Sequence, residues 1–463
     1  MMSADLVIFN ANIHTMDPAM PKARWVAVQD GKIRALGQGT PPAARHSLDA
    51  ADRLILPGFQ DAHIHLLNGG VDLIETAQLY DATTLAGLQS ALAAHAARWR
   101  GPMVWGAGWQ CGFFGDHNLT RQVIDQVVSD RPCLIYDGNF HNACLNTLAC
   151  QMAGITRDTP DPLNGHIQRD ACGDATGMLR EEAINWATPL LPRTARETLV
   201  QGLAAGQALA NKHGITGVID PWILGHHADI YSSALAAGQL TLRVAGACLV
   251  RADDTVQSAL ARLLALRAAH GTADFQLNAA KFFLDGGLEN RTAAMILPYA
   301  DALGGNAPLM FNPDQIAALF TALDANRFQI HVHCIGDLAT RAALDGFQAA
   351  RQANGIWPSL HQVAHVEVVH PQDRPRFAEL GVMANMQPFW ASHDPVIPDD
   401  TMAMIGRERA GHTYAFASLI NAGAPWCISS DWAVTTLNPF EIIGTAVTRK
   451  PPRTRGRAAV FGP

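Results

Sequence analysis

Short stretches near the amino terminus alternate between hydrophobic and polar residues. Three of them cover residues 5–10, 25–29 and 32–36, and Asp30-Gly31 lies between the second and the third. A period of two predicts strands with one buried face, and an Asp-Gly pair between two strands predicts a tight hairpin. Residues 1–56 are therefore predicted to form a small β module.

From residue 57 onward, apolar stretches alternate with Ala/Leu-rich stretches of helical periodicity. The apolar stretches that read as strands number eight and cover residues 56–65, 214–220, 242–250, 278–285, 328–334, 362–367, 381–387 and 426–431. Helical stretches lie between most of them, at residues 197–213, 256–270, 313–325 and 338–351. Eight β units with intervening helices predict an α/β fold in which residues 57–463 form a (β/α)₈ TIM barrel.

The connection between the first two predicted strands is unusually long, running from about residue 69 to 196. Ordinary connections span roughly 2–6 residues, so this insertion is expected to have structure of its own. Residues 156–165 within it are rich in Gly, Pro and Asp and are predicted to be a loop. An insertion after the first barrel strand can reach over an active site as a lid or specificity element.

Composition excludes several classes of partner. The chain has 463 residues, a net charge of -7 and only 16% charged residues, which fits a large interior and offers no basic run for a nucleic acid. The eight cysteines are scattered, as in proteins of a reducing compartment. The amino terminus lacks a signal-peptide pattern, and no run of about 18 apolar residues occurs. We therefore expect a cytoplasmic protein without membrane contact.

Residues that can bind a metal ion lie at the carboxyl ends of these predicted strands. Histidines two positions apart on a strand share a face, so they can bind one cation together. The candidates, each with a nitrogen or oxygen donor, are His63, His65, Lys281, His333, His365 and Asp431. A single His in an apolar strand is more often a hydrogen-bonded core residue than a ligand. Five histidine and carboxylate donors at one end of a barrel instead indicate a divalent metal site.

Lys281 has two interpretations. Burial of an ammonium group is costly, which favours the neutral amine, and a neutral amine can react with carbon dioxide to give a carbamate. That anion would supply one oxygen to each of two metal ions. The alternative is a salt bridge to Asp285, which lies on the same strand face.

Three further residues have roles that the sequence leaves open. Asp431 is a metal ligand, the group that accepts a proton from metal-activated water, or both. His331 lies one pleat deeper than His333, and Asp61 lies below His63. We expect His331 and Asp61 to support the ligands or to belong to the core.

An ordered set of motifs runs over nearly the whole chain. It comprises residues 56–65 (LPGFQDAHIH), 106–109, 141–146, 214–216, 281–286 with 291–293, 333–337, 385–388 and 430–431. With this set the sequence resembles the amidohydrolase superfamily, and within it the YtcJ-like branch (amidohydrolase family 3) that includes N-substituted formamide deformylase. The resemblance implies a barrel flanked by a β-sandwich, one or two divalent metals, usually zinc, and hydrolysis of a C–N bond other than a peptide bond.

Carried over position by position, the resemblance implies a role for each candidate. His63 and His65 would bind the first metal, a carboxylated Lys281 would bridge two metals, and His333 and His365 would bind the second. Asp431 would act as ligand and proton shuttle. In the insertion, Trp109 and His141 match positions that approach the substrate in relatives.

Two departures from the family pattern stand out. Relatives have Arg-Ile-Glu-His where this chain has Gln-Val-Ala-His at residues 362–365, so an Arg and a Glu near the metal are replaced. Relatives also continue with the last barrel helix and the returning strands of the sandwich, whereas this sequence stops at residues 459–463. The resemblance therefore implies that the amino-terminal β module lacks its carboxyl-terminal partner strands.

The leading hypothesis is a metal-dependent amidohydrolase in which metal-bound hydroxide attacks an amide or formamide carbonyl of a small molecule. We expect two zinc ions, with manganese or iron as the other metals that such donors accept. Homodimers are the commonest assembly, and we expect one here. The alternatives are a deaminase or cyclic-imide hydrolase with one metal, and a truncated relative without catalytic activity.

Overall fold

The computed structural model describes residues 4–109, 119–138, 140–288, 290–392 and 400–450. The chain divides into two compact units, residues 1–59 and 60–463. Residues 459–463, where the sequence analysis noted the end of the chain, lie outside the described ranges. Among the helices of the described ranges, none has the length and apolarity needed to cross a lipid bilayer.

The amino-terminal unit consists of two small β-sheets. Its strands are β1 (Ala4–Phe9), β2 (Asn12–His14), β3 (Lys22–Ala23), β4 (Trp25–Gln29), β5 (Lys32–Gly37), β6 (Ala44–Asp49) and β7 (Leu54–Ile55). The sheet orders are β5-β4-β1-β6 and β3-β2-β7. Asp30 and Gly31 both have positive φ, as the predicted hairpin between β4 and β5 requires. Ile13, Ala23 and Val26 form a buried cluster that joins the two sheets.

The second unit contains a nearly closed barrel of eight strands, with parallel neighbours. In chain order the strands are β8 (Phe59–Asp61), then β15 (Ile215–Ile223), β16 (Arg243–Leu249), β17 (Phe275–Phe283), β18 (Gln329–Cys334), β19 (Gln362–His365), β20 (Met383–Met386) and β21 (Trp426–Ile428). Their spatial order follows the chain, as expected for repeated βα units. The predicted (β/α)₈ barrel is confirmed, and each predicted strand is present.

Helices connect most barrel strands and cover the barrel. They are α6 (Arg196–Lys212), α7 (Gly225–Ala236), α8 (Val256–His270), α9 (Pro313–Ala325), α10 (Asp337–Asn354) and α11 (Arg374–Leu380), then α12 (Asp400–Ile405), α13 (Arg407–Ala410), α14 (Phe416–Asn421) and α15 (Pro439–Thr448). Helices α8 and α9 begin at capping boxes formed by Thr255 with Ser258 and by Asn312 with Gln315. These caps satisfy backbone N–H groups that a helix start would otherwise leave unpaired.

The segment between β8 and β15 builds a sheet of its own. Its elements are α1 (Leu66–Glu75), β9 (Thr76–Gln78), α2 (Leu85–Arg98), β10 (Val104–Trp109), α3 (Arg121–Asp125), β11 (Cys133–Asp137), β12 (Asn142–Leu145), α4 (Thr147–Met152), β13 (Gly165–Arg169), β14 (Ala175–Glu181) and α5 (Glu182–Ala187). The six strands are ordered β13-β14-β12-β11-β10-β9. Residues 156–164 contain no helix or strand, in agreement with the predicted loop.

Two backbone hydrogen bonds join the chain segments that follow the first and last barrel strands. Asp431 N donates to His63 O at 2.9 Å, and His65 N donates to Trp432 O at 2.7 Å. Asn385 on β20 adds a side-chain bond by donating from Nδ2 to Ala62 O at 3.0 Å. The barrel therefore closes at the residues where the predicted ligands lie.

Candidate metal centre

His63 and His65 lie just beyond the first barrel strand rather than on it. The sequence predicted a strand through residue 65, but β8 ends at Asp61 and helix α1 begins at Leu66. The helix start leaves only a short connection, whose Ile64 N donates to Ile219 O on β15 at 3.0 Å. The two rings still come together, with centroids 5.5 Å apart.

The carboxylate of Asp431 lies close to both histidines. His63 Nε2 and His65 Nε2 each lie 3.4 Å from Asp431 Oδ1. One donor atom from each of the three residues lies within 4.8 Å of the others. Ligands about 2.1 Å from a shared ion at a tetrahedral angle are themselves about 3.4 Å apart, so this group fits a zinc-sized cation.

A buried partner orients His63. His331 Nε2 lies 2.8 Å from His63 Nδ1. If His63 Nε2 binds a cation, Nδ1 carries the ring hydrogen and donates it to His331, which fixes the plane of the ring. Asp61 Oδ1 accepts bonds from the backbone N–H groups of His63 and Ser430, both at 3.1 Å. This arrangement agrees with the supporting roles that the sequence predicts for His331 and Asp61.

His333 and His365 lie beside this group. Their ring centroids are 4.4 Å apart, and the His365 ring is 5.2 Å from that of His63. His365 Nδ1 lies 4.0 Å from Asp431 Oδ2, and the Trp390 ring stacks on the His365 ring with centroids 5.2 Å apart. The structure thus places His63, His65, His333 and His365 close to Asp431, around one volume.

Burial keeps these imidazoles neutral. It is the largest cause that lowers the pKa of His63, His331, His333 and His365 well below the usual value, and the neighbouring Lys281 adds to the effect. Neutral imidazole is the form that binds a metal ion. The donor set therefore suits a cation without prior loss of protons from these rings.

Lys281 is fully buried on β17, opposite His331 on β18. Burial lowers its pKa to about 7, although Asp431 opposes this shift. Among the described residues its Nζ has no hydrogen-bond partner, and it lies 4.5 Å from the centre of the Phe283 ring. Carboxylation of Lys281, or binding of its amine to a cation, would give this buried group the polar partner that it otherwise lacks among the described residues.

Asp285 does not form the salt bridge that was the alternative for Lys281. Its carboxylate accepts backbone N–H groups of Ala294, Ile335 and Gly336, at 3.0, 3.0 and 2.7 Å. These bonds tie the segments that follow β17 and β18 together. Asp285 therefore does not supply a counter-charge for Lys281.

Backbone strain is found at two members of the donor set. His365 and Asp431 have φ values of 76° and 55°, in the left-handed region that residues with side chains rarely adopt. Such conformations cost about 1–3 kcal/mol each and are kept where the surroundings impose them, commonly at functional sites. The strained backbone supports the choice of these residues as functional.

The two predicted substrate-binding residues have different surroundings. Trp109 is buried in an apolar cluster of the segment between β8 and β15, with Leu79 and Leu119. The His141 ring lies 5.8 Å from that of His333, at the edge of the donor set. Contact with substrate stays a prediction for both, and the geometry favours His141.

The sequence analysis missed Glu181 and a polar network on the last strands. Glu181 Oε2 lies 2.9 Å from His141 Nδ1. Gln387 Nε2 donates to Asn385 Oδ1 at 3.1 Å and to Ser429 Oγ at 2.6 Å. Asn385 and Gln387 lie within the motif at residues 385–388, but the sequence gives no signal for Glu181, because only the fold brings it to His141.

Gln362, one of the departures from the family pattern, joins the same network. Its Oε1 accepts from Asn385 Nδ2 at 2.8 Å, while Ala364 is buried in β19. The residues that replace the expected Arg and Glu therefore fit within the barrel wall.

Comparison with known proteins agrees with this geometry. The model of a family described as "Amidohydrolase family" matches residues 47–463. "Putative amidohydrolase YtcJ" of Bacillus subtilis (strain 168) is 28% identical, over 95% of this chain and 82% of its own length. "N-substituted formamide deformylase" of Arthrobacter pascens is 25% identical, over 96% and 84%.

The fold also has a solved counterpart. An uncharacterized metal-dependent hydrolase from Pyrococcus horikoshii OT3 superposes with a TM-score of 0.76 at 22% identity, covering 96% of this chain and 86% of that one. At this identity the likeness concerns the fold.

Proposed function

Because the chain belongs to the amidohydrolase family, we propose that it is a metal-dependent hydrolase of amide or formamide C–N bonds in small molecules. The observation that carries the proposal is the convergence of His63, His65 and Asp431, with both His Nε2 atoms 3.4 Å from one carboxylate oxygen. The similarity to N-substituted formamide deformylase of Arthrobacter pascens supports the formamide class.

The residues that would hold divalent metal fall into two groups. His63, His65 and Asp431 would hold the first ion, and His333 with His365 a second, with carboxylated Lys281 between them. When bound, such a metal polarises a carbonyl oxygen and lowers the pKa of its water from about 15.7 towards about 7. Zinc is the metal that the nitrogen-rich donor set favours, with manganese and iron as the other candidates.

Asp431 is the residue that we assign to proton transfer. It is buried and within 4.0 Å of His63, His65 and His365, so its carboxylate faces the volume between the rings. It would accept a proton from the attacking water and return it to the nitrogen of the departing amine. His331 and Asp61 hold His63 in place during both transfers.

The test is hydrolysis by metal-restored protein. Apo protein would be supplied with Zn²⁺ or Mn²⁺ and incubated with a panel of N-formyl and N-acyl amines, with release of the amine measured by chromatography. We expect turnover of at least one member. Asp431→Asn should lower kcat by about 10²–10⁴-fold, because general acid–base catalysis contributes about that much.

The matched control is Asp345→Asn, which removes an exposed carboxylate paired with Arg376 on the barrel surface. Its activity should equal that of the unchanged protein. If the metal-restored protein hydrolyses no N-formyl or N-acyl amine of the panel, the proposed function is wrong.

A one-metal deaminase or cyclic-imide hydrolase is the second candidate. It is favoured by the compact donor group of the described ranges, which contains only His63, His65 and Asp431. Metal analysis per chain separates the candidates, because two metals and an added mass of one carbon dioxide on Lys281 support the first. One metal and an unmodified lysine support the second, together with either ammonia release from an amino-substituted ring or ring opening of a cyclic imide.

A further inference from the structure

The side chains of His141 and Glu181 come from neighbouring antiparallel strands. Glu181 ends β14, His141 directly precedes β12, and Glu181 N donates to His141 O at 3.0 Å. Their side chains also meet, since His141 Nδ1 lies 2.9 Å from Glu181 Oε2, with exposed fractions of 16% and 8%. The carboxylate therefore holds the ring at one nitrogen.

The second carboxylate oxygen of Glu181 is fixed by a barrel loop. Thr292 Oγ1 donates to Glu181 Oε1 at 2.5 Å and accepts from Gly287 N at 2.9 Å. A Cβ at Gly286 would lie 2.5 Å from the same oxygen, so only glycine leaves room for it. The carbonyl of Gly286 in turn lies 3.4 Å from His333 Nε2. Glu181 is thus packed between His141 and a residue that contacts a candidate ligand.

Glu181 adopts a strained backbone. Its φ of 49° and ψ of -126° lie in a region that residues with side chains rarely adopt. This strained residue lies where β14 ends and α5 begins. Burial alone raises the pKa of Glu181, but His141 and its hydrogen bond outweigh burial and lower it overall. The group is therefore an ionised acceptor.

We infer that Glu181 is a positioning residue. It supports substrate binding by fixing the orientation of the His141 ring. This inference rests on the proposed function. A carboxylate at Nδ1 keeps the hydrogen on that nitrogen, which makes Nε2 the ring atom that contacts the substrate. With the ring 5.8 Å from that of His333, the contact would be made with a polar group next to the scissile amide.

Kinetics of a double-mutant cycle test the inference. Glu181→Ala and His141→Ala should each raise KM about tenfold with a smaller change in kcat, and the double variant should lose no more than either alone. Glu181→Gln should recover part of the loss, because its amide oxygen can still accept the Nδ1 hydrogen. Thr292→Val, which removes the contacts of Oγ1 with Glu181 and with Gly287 but leaves the Glu181–His141 contact in place, should change KM less than Glu181→Ala.

Glu182→Ala is the control, since the Glu182 side chain accepts a hydrogen bond from Asn185 Nδ2 within helix α5. It should leave KM unchanged. Additive losses in the double variant, or a Thr292→Val loss equal to that of Glu181→Ala, would overturn the inference, because Glu181 would then act through the loop.

Crystal structures give a readout that does not depend on turnover. In Glu181→Ala the His141 ring should rotate away from its present position, while the donor set and the metal content stay unchanged. A ring that keeps its orientation contradicts the positioning role. If the unchanged protein hydrolyses no substrate of the panel, the proposed function fails, and the crystal structures still decide whether Glu181 positions His141.

Discussion

At the residue scale, burial decides the chemistry of Lys281. Its pKa is lowered to about 7 by burial, and its amine has no hydrogen-bond partner among the described residues. A buried amine without a hydrogen-bond partner lowers the stability of the folded protein. The position is therefore expected to matter for metal binding more than for folding.

Lys281→Met should separate these two effects. Met keeps most of the side-chain length without the charge, so the free energy of unfolding of the metal-free protein should rise by about 1–4 kcal/mol. Metal bound per chain, measured by elemental analysis, should fall.

The control is Lys212→Met at an exposed position near the end of α6, which should change the unfolding free energy by less than about 0.5 kcal/mol. A Lys281→Met variant that binds metal in full would show that this lysine is not a ligand.

Candidate ligands could be predicted from the sequence where their spacing placed them at the ends of predicted strands. The histidine pairs and Asp431 were found because strand ends of a barrel meet at one face, and the structure brings their side chains together. Glu181 could not be found, because its partner His141 is 40 residues away and the strained turn that aims it leaves no pattern.

At the scale of elements, helix α1 is held against α6 by glycines. A Cβ at Gly70 would lie 1.9 Å from the backbone oxygen of Gly202, so the two helices meet without side chains between them. Helix α1 starts one residue after His65. The packing of this helix pair therefore helps to place a candidate ligand.

Gly70→Ala should force α1 and α6 apart. Overpacking of this kind costs about 1–3 kcal/mol, and the shift of His65 should also lower the affinity for zinc. Urea unfolding and a zinc titration measure the two effects.

Gly444→Ala is the matched control, because α15 has open space at that position; it should stabilise the protein by up to about 1 kcal/mol. Equal unfolding free energies for the two variants would contradict this account of the helix contact.

A second element-scale contact joins α9 to the last residue of α10 and to the segment that follows it. Asp324 accepts from His361 Nε2, Trp357 Nε1 and Asn354 Nδ2, at 2.7, 2.6 and 2.9 Å. Burial raises the pKa of Asp324, but these hydrogen bonds outweigh it, so the pKa lies below the usual 3.8. Since the folded pKa is the lower one, the stabilisation is present above pH 3.8 and is lost as pH falls through the folded pKa.

Asp324→Asn should therefore cost about 1–3 kcal/mol of unfolding free energy at pH 7, and the difference from the unchanged protein should shrink as pH falls below about 4. Urea unfolding at several pH values provides the measurement. The exposed Glu379→Gln serves as the control. A difference that stays constant over this range would mean that the charge of Asp324 is not what stabilises the contact.

The bounds of helices and strands were predicted well where one period of hydrophobic residues dominates the sequence. Helices α8 and α9 match the predicted residues 256–270 and 313–325, because their caps and periodicity agree. The first barrel strand was predicted too long, since the apolar run continues through Ile64 although the chain already turns towards α1. Strand pairing across the six-stranded sheet could not be predicted, because its neighbours are set by packing between distant segments.

At the scale of the whole molecule, the barrel explains why distant residues can share a metal ion. Parallel strands deliver their carboxyl ends to one face, so ligands separated by hundreds of residues meet there. The His63 and His331 rings, 268 residues apart in sequence, lie within hydrogen-bonding distance. The amino-terminal unit, by contrast, supplies none of the candidate ligands.

The most direct test of this account is a crystal structure of the zinc-supplied protein, with anomalous diffraction recorded at the zinc edge. The account predicts a peak about 2 Å from His63 Nε2, His65 Nε2 and an Asp431 oxygen, and added electron density on Lys281 Nζ where two metals bind. Zinc bound elsewhere in the crystal with no peak between His63, His65 and Asp431 would contradict it.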